Sequence, residues 1–349
     1  MPLSPVPQRT AVTIDDIAKA AGVHPGTVSR ALRGVSGKVS PDKRAEIERI
    51  AAELGYQPNA VAASLRTKQT NIAAIVVPDL GNPLFGPIVQ GVEKALRLHD
   101  LLCLVVQTPT DPAERRDLVL ALANRQVSGL LILAAESDDP MLEVARQRRL
   151  PTVLVNRGSG DRHFSSVVSD DREGVRLALE HLVALGHRSI AHIAGPSASS
   201  TGRARKTAFV ELARSVGVKP SPVVEAEAFT RSAGQAATEQ LLKARTRPTA
   251  IFAANDLIAL GALDVLRRHG LAVPGDISLV GHNDMPLVDL IDPPLTTVRV
   301  AVDQMSLQAA GLFIDHLQHP QLAPSTRVLM PTLVVRSSTR AVSQPSAGP

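Results

Sequence analysis

Between Val12 and Gly34, apolar residues recur at helical spacing in two short runs separated by a glycine. Ile14, Ile17, Ala18 and Ala21 follow one another at three- and four-residue steps, which places them on one face of a helix. Thr13, with Asp16 three residues on, has the pattern of a reciprocal N-terminal cap. Gly22 can adopt the left-handed conformation that stops a helix, and Val23 anchors the turn. Pro25 suits the first turn of a second helix, in which Val28 and Leu32 face inward. After the loop GVSGK, Ser40 as cap and Pro41 at the first helical position open a third helix. Ile47, Ile50, Ala51 and Leu54 make its apolar stripe and Gly55 closes it. Three short helices around one core are predicted for residues 12–56.

Pro58 to Gln69, PNAVAASLRTKQ, can start a helix but is short, alanine-rich and without a core of its own. Isolated helices of this length are marginal in water, so the segment is a linker or a helix that forms only when something holds it. Leu65 stands out there, apolar among small and polar residues and flanked by Arg66 and Lys68. From Asn71 the pattern changes to short, continuously apolar strands between helices. The strands are expected at 72–77, 101–106, 129–133 and 152–155, and in a second series at 166–168, 189–194, 249–253 and 277–281. Such runs belong to parallel sheets covered on both faces. Two sets in tandem predict two doubly wound subdomains, with a ligand cleft at the carboxyl ends of their strands. A last helix (303–318) and strand (328–335) return to one or other lobe. The Pro-rich residues 1–11 are expected to be a disordered leader and 341–349 a frayed tail.

Charge sharpens this division. The net charge of the 349 residues is +5, and residues 1–69 carry ten Lys and Arg against six Asp and Glu, leaving the remainder near neutral. A basic head on a neutral body points to a polyanion met by the head alone. The single Cys103 excludes an intrachain disulfide. With no apolar signal core and no run long enough to span a membrane, it makes the cytosol the expected compartment. No dinucleotide or phosphate-binding glycine loop, HExxH or cysteine pair occurs, so no metal or cofactor is expected and no nucleophile–base pair can be named. His181 and His187, six apart, have poor spacing for a shared metal and are expected to be surface or capping residues.

The succession TIDDIAKAAGV, TVSRAL, GYQPNAVAASLR, EHLVALGHRSIAHIAGP, FAANDLIALGALDVLRRHGLAVPGDISLVG and PPLTTVR resembles the lactose-repressor (LacI/GalR) family of bacterial transcription regulators over roughly residues 12–340. That resemblance implies an N-terminal all-α helix-turn-helix headpiece and an α/β body of two doubly wound parallel-sheet subdomains, like periplasmic binding proteins. It also implies a homodimer on a pseudo-palindromic, double-stranded DNA operator in the bacterial cytoplasm and nucleoid. A small effector (a sugar, sugar acid or related metabolite) would enter the cleft. The expected division is a DNA-binding domain at 12–57 and a hinge helix at 58–69. The N-terminal subdomain would span 70–168 with 296–325, and the C-terminal one 169–295 with 326–340.

The family's base readers correspond to His24, Pro25, Gly26, Thr27, Ser29 and Arg30. Pro25 and Gly26 depart from the usual pattern, since neither side chain can make a bidentate contact to a base edge. Arg30 is the expected guanine reader with His24 second, while Thr27 and Ser29 suit phosphates. The plain alternative for Arg30 is a solvated helix face. Thr13 and Asn59 complete the DNA-binding set with Leu65, which matches the leucine the family wedges into the minor groove; a linker leucine is the other reading. In the cleft, Arg205 matches the family's pocket arginine, with Ser199 and Thr201 on the same loop. Phe85 and Phe229 sandwich a ring or simply pack. Asn255 offers its amide or merely caps a helix. Asn283 stands where the family often has an acid, and Asn156 and Asp170 lie at the lobe crossover. Two rival functions remain open: DNA binding that ignores small molecules, and a sugar-phosphate enzyme.

Overall fold

In the headpiece, α1 (Ile14–Ala21) begins with the expected reciprocal cap. The Asp16 amide donates to Thr13 Oγ1 at 3.3 Å, and Asp16 Oδ2 accepts from the Thr13 amide at 2.9 Å. Gly22, at φ 61°, ends the helix. The second helix, α2, spans Pro25–Leu32, and α3, Pro41–Glu53, starts at Ser40 with Pro41 in its first turn. Ile17, Val28, Ala31 and Ile47 meet with no exposed surface. One expected inward position differs. Leu32 packs on this core half-buried, as expected, whereas Leu54, at the C-cap of α3, is 41% exposed while Tyr56 packs on the core in its place. The structure is a computed structural model, described for residues 12–32, 38–56, 70–133, 135–136, 138–160, 163–218, 222–244 and 247–342. The chain divides into two compact units, Met1–Thr70 and Asn71–Pro349. The expected leader, hinge helix and most of the tail lie outside the described residues, as do Asn59 and Leu65.

The body begins with β1 (Ile72–Val77), α4 (Phe85–Arg97), β2 (Leu102–Gln107), α5 (Pro112–Asn124), β3 (Gly129–Ile132), α6 (Pro140–Gln147), β4 (Thr152–Val155) and β5 (Ser165–Ser169). It continues with α7 (Asp171–Ala184), β6 (Ile190–Ala194), α8 (Ser200–Ser215), β7 (Val223–Glu225), α9 (Arg231–Leu242), β8 (Ala250–Ala253), α10 (Asp256–Arg268), β9 (Ser278–Asn283) and β10 (Thr296–Arg299). The chain closes with α11 (Val302–Gln318), β11 (Thr326–Leu329) and β12 (Thr332–Val334). The first sheet, β11-β5-β4-β3-β1-β2, is wholly parallel. The second, β12-β10-β9-β8-β6-β7, is parallel except for β12 at its edge. Helices pack on both faces of each sheet, so the inner strands are apolar throughout, as their unbroken hydropathy requires.

The structure corrects the lobe boundaries expected at 296 and 326. Residues 296–299 form β10 in the second sheet, residues 326–329 form β11 in the first, and the single strand expected at 328–335 is two strands in different sheets. The polar character of β10 hid it. Thr296 and Thr297 are buried, with the Thr296 amide donating to Ser338 Oγ at 2.8 Å and Thr297 Oγ1 donating to Asp256 Oδ1 at 2.6 Å. Partners distant in sequence satisfy these groups, and hydropathy carries no trace of them. The chain therefore crosses between lobes after β5, after β10 and after β11.

Of the two histidines singled out in the sequence, His187 differs from the surface or capping place expected of it. His187, only 3% exposed, joins Thr249 Oγ1 (2.9 Å), Ser278 Oγ (3.0 Å) and the Arg340 carbonyl (3.0 Å), tying the C-terminal segment to the second lobe. His181 is half-buried beside Thr339. His192, on β6, is fully buried between Phe209 and Phe252, with ring centroids 4.7 and 5.0 Å away. Its Nδ1 donates to the Phe252 carbonyl at 2.8 Å and its buried Nε2 has no partner, which describes a neutral ring. Burial pushes its pKa from 6.5 down to about 4. The unfolded chain therefore takes up this proton first. The stability that the neutral ring secures is complete above pH 6.5 and lost as pH falls toward 4, an expected decline of about 3 kcal/mol. Urea unfolding of wild type and His192→Phe across that range should show a flatter profile for the variant; identical slopes would refute the assignment.

Candidate functional site

The first candidate surface is the start of α2. His24 is exposed, and its Nδ1 accepts from the Gly26 amide at 3.1 Å while its carbonyl accepts from the Thr27 amide at 2.7 Å. It therefore caps the helix whose first turn it precedes. Arg30 is half-buried, its Nε donating to the Gly26 carbonyl at 2.9 Å. A Cβ at Gly26 would stand 3.2 Å from His24 Nδ1 and 3.9 Å from Arg30 Nη2, so a side chain there would crowd the imidazole and touch the guanidinium. Pro25, Thr27 and Ser29 are half-buried along the same helix. Thr13 is exposed, and its hydroxyl is engaged in the α1 cap.

The second site lies between the lobes at the carboxyl ends of both sheets, where open α/β folds place ligands. From the first lobe come Asn82, Leu84 and Phe85, at and before the start of α4, and Asn156 and Arg157, directly after β4. From the second come Thr201 and Arg205 of α8, Phe229 beyond β7, Asn255 capping α10, and Asn283 at the end of β9. Seven of the nine expected cleft residues are thus brought together. The other two are caps rather than lining. Asp170 accepts from the Glu173 amide at 2.9 Å, and Ser199 caps α8 with its Oγ 2.8 Å from Thr201 Oγ1. Sequence reasoning passed over Asn82, Leu84 and Arg157. For Arg157 the signal was its place beside Asn156 after the apolar run TVLV.

Arg205 organises the second-lobe wall. It is 2% exposed; its Nε donates to Asp171 Oδ1 at 2.7 Å, and its Nη1 to the Ala254 carbonyl at 2.6 Å and Asn283 Oδ1 at 3.5 Å. Burial pushes the Asp171 carboxyl up, and Arg205 opposes that rise. Behind this wall Asp256 accepts from the Met285 amide at 2.8 Å and from Thr297, and burial lifts it to about 7. Asn255 Oδ1 is committed to the Ile258 amide at 2.9 Å. Asn156 and Asn283 both have positive φ, 66° and 118°, the kind of backbone conformation that gathers at binding sites. Arg157 spans the lobes, its guanidinium 5.3 Å from the centre of the Phe229 ring. Burial lowers it to about 10, so it remains a cation at neutral pH. The free room between these side chains is about 20 Å³, that of roughly one water molecule and less than a sugar ring occupies. Entry of a larger ligand requires the lobes to part or Phe229 and Arg157 to turn aside.

Among the described residues no group of three or more His, Cys, Asp or Glu could hold a metal, and no helix is long and apolar enough to cross a membrane.

Residues 13–59 match the family described as bacterial regulatory proteins, lacI family, and residues 179–339 match the periplasmic binding protein-like domain. The chain is 32% identical to the HTH-type transcriptional repressor CytR of Escherichia coli (strain K12), over 96% of this chain and 98% of that protein. It is 34% identical to the HTH-type transcriptional regulator CelR of Thermobifida fusca, over 95% and 99% respectively. Among solved structures, the lac repressor dimer bound to operator and the anti-inducer ONPF superposes with a TM-score of 0.84 at 30% identity, covering 95% of this chain and all of that one.

Proposed function

The chain belongs to the lacI family of bacterial regulatory proteins, and from that premise we propose which of its residues carry each step. It is a sequence-specific transcriptional regulator, with a dimer on operator DNA and a small effector in the cleft that sets the affinity. Arg30 reads a guanine, and the exposed imidazole of His24 stands beside it as second reader. Thr27, Ser29 and Thr13 serve phosphates and register, and Leu65 and Asn59 serve the hinge. Phe85, Asn156, Thr201, Arg205, Phe229, Asn255 and Asn283 hold the effector. The observation that carries this reading is the convergence of these side chains from both lobes on one cleft, around a buried arginine. The chain's role is regulatory rather than catalytic, and its place is the cytoplasm, where operator DNA is.

Effector and operator bind distinct sites, so their coupling is reciprocal: DNA changes ligand affinity by the factor by which ligand changes DNA affinity. The test is selection of bound duplexes from a random pool, followed by ligand screening on the selected complex. Two-fold symmetric sites are expected, and sites without symmetry would defeat the dimeric reading. On the selected operator, Arg30→Ala should lose about 1–3 kcal/mol and relax preference at one base position per half-site. A loss equal across all sequences would make Arg30 a phosphate contact instead.

A further inference from the structure

The cleft is chemically one-sided. Among the residues lining it two are cationic and none is acidic. Arg205 already has its counter-charge in Asp171, 2.7 Å away. Arg157 has none at contact. No carboxylate oxygen of a described residue comes within 4.0 Å of its guanidinium, its Nε is buried without a hydrogen-bond partner, and the residue is only 9% exposed. Glu136 acts on it from farther off, but Glu136 and neighbouring Asp139 are both taken by Arg115, at 2.8 and 3.3 Å. An aromatic face is the neighbour Arg157 does have, and Phe229 leaves its N–H groups unsatisfied. A buried guanidinium in this state is a site for an oxyanion, whose paired oxygens match the fork of N–H donors.

The rest of the lining offers hydroxyl chemistry. Asn156 Oδ1 is buried without a partner and can accept from a ligand hydroxyl. Asn82 and Asn255 have committed their carbonyl oxygens to the amides of Leu84 and Ile258, so N–H is what their side chains have left to give. Resting on the reading of this cleft as the effector site, we propose that the effector is a small polyhydroxylated anion whose carboxylate or phosphate takes Arg157 as its counter-ion. Arg205, already neutralised, then serves uncharged parts of the ligand.

The test compares full-length wild type with Arg157→Gln and Arg157→Lys, all checked for the same fold by circular dichroism. Hexonates and hexose phosphates form two arms, each matched against the parent neutral hexoses and read by calorimetry and by operator affinity. Formate and inorganic phosphate at constant ionic strength are the minimal probes, read as melting temperature. At least one acidic arm should bind about 100-fold tighter than its neutral parent, and Arg157→Gln should remove that advantage while Arg157→Lys keeps part of it. The arm that responds tells carboxylate from phosphate. Wild type should gain more melting temperature from formate or phosphate than Arg157→Gln does. Equal gains in both proteins would overturn the inference, as would a neutral ligand that binds the cleft equally well in both. A neutral ligand that still shifts operator affinity would leave the regulator reading standing. Failure of the selection to yield any preferred duplex would bring that reading down instead.

Discussion

Replacing Arg205 by methionine should cost the protein about 3–5 kcal/mol of unfolding free energy and abolish any effect of effector on operator binding. The size follows from what the arginine leaves behind. The Asp171 side chain is 12% exposed and would hold a carboxylate in the interior with its contact cation gone, and the Ala254 carbonyl would lose a donor. The double variant Arg205→Met, Asp171→Asn should recover a large part of the loss, because the uncompensated charge rather than the missing contact dominates. Acidity supplies a second check. Burial already holds the Asp171 carboxyl above its ordinary range, and removing Arg205 raises it further. An acid raised in the folded state binds its proton more tightly than the unfolded chain does, so it stabilises as pH falls and destabilises as pH rises through the raised value. The deficit of Arg205→Met should therefore be greatest at neutral pH and narrow toward acid. A deficit that is constant or grows on acidification would mean that Asp171 is not the group left exposed to the consequence.

Gly202→Ala should be damaging too, less so and for a different reason. A Cβ there would lie 2.2 Å from the Pro196 carbonyl oxygen and 3.0 Å from its carbon, both backbone atoms that no rotamer change can clear. The first turn of α8 would have to retreat by about 1 Å, and a misplacement of that size can cost a site that depends on exact positioning on the order of 100-fold. It would carry Thr201 and Arg205 with it. Strain of this kind in a packed interior costs about 1–3 kcal/mol, to be read by urea unfolding, with ligand-dependent operator binding measured in parallel. Gly311→Ala is the control. It too lies in a helix, α11, but a Cβ there meets nothing within 4 Å, so helix propensity alone should make it neutral or stabilising by up to ~1 kcal/mol. If both variants behave alike, the close approach of α8 to Pro196 is not what demands glycine.

These two variants separate the parts of the cleft that hold it together from those that meet a ligand. Arg205 is tied on three sides within its own lobe, whereas Arg157 meets the other lobe through an aromatic face that turns easily aside. A ligand that changes the lobe arrangement has to act through groups of the second kind, since moving the first kind unpairs buried charge. Closure around Arg157 and Phe229 is therefore the place where ligand binding and lobe position can be coupled, provided the ligand prefers one arrangement over the other.

Features that depend on neighbours a few residues away were legible in the chain. The Thr13–Asp16 cap, the left-handed Gly22, Ser40 with Pro41 and the capping role open to Asn255 at α10 rest on hydrogen bonds to the next turn, so the residue types declare them. The apolar strands declared themselves too, because a strand covered on both faces has no alternation to conceal it. The family motifs pointed to most of the cleft residues, since loops after strands gather at one end of a parallel sheet.

What the linear order withheld was every relation made across long separations. Thr296 and Thr297 are polar yet interior because Ser338 and Asp256 reach them from 42 and 41 residues away. That is why β10 went unseen and the lobe boundary was misplaced. His187 looked like a capping residue until Thr249, Ser278 and Arg340 closed around it. Asp171 pairs with Arg205 at a separation of 34 residues, while Arg157, one position past a residue that was singled out, has no such pair. By itself the chain determined the headpiece helices, the apolar strands and which end of each sheet holds the site. Only the folded body decided which buried charges are matched, because Coulomb and hydrogen-bond partners are set by distance in space rather than by position along the backbone.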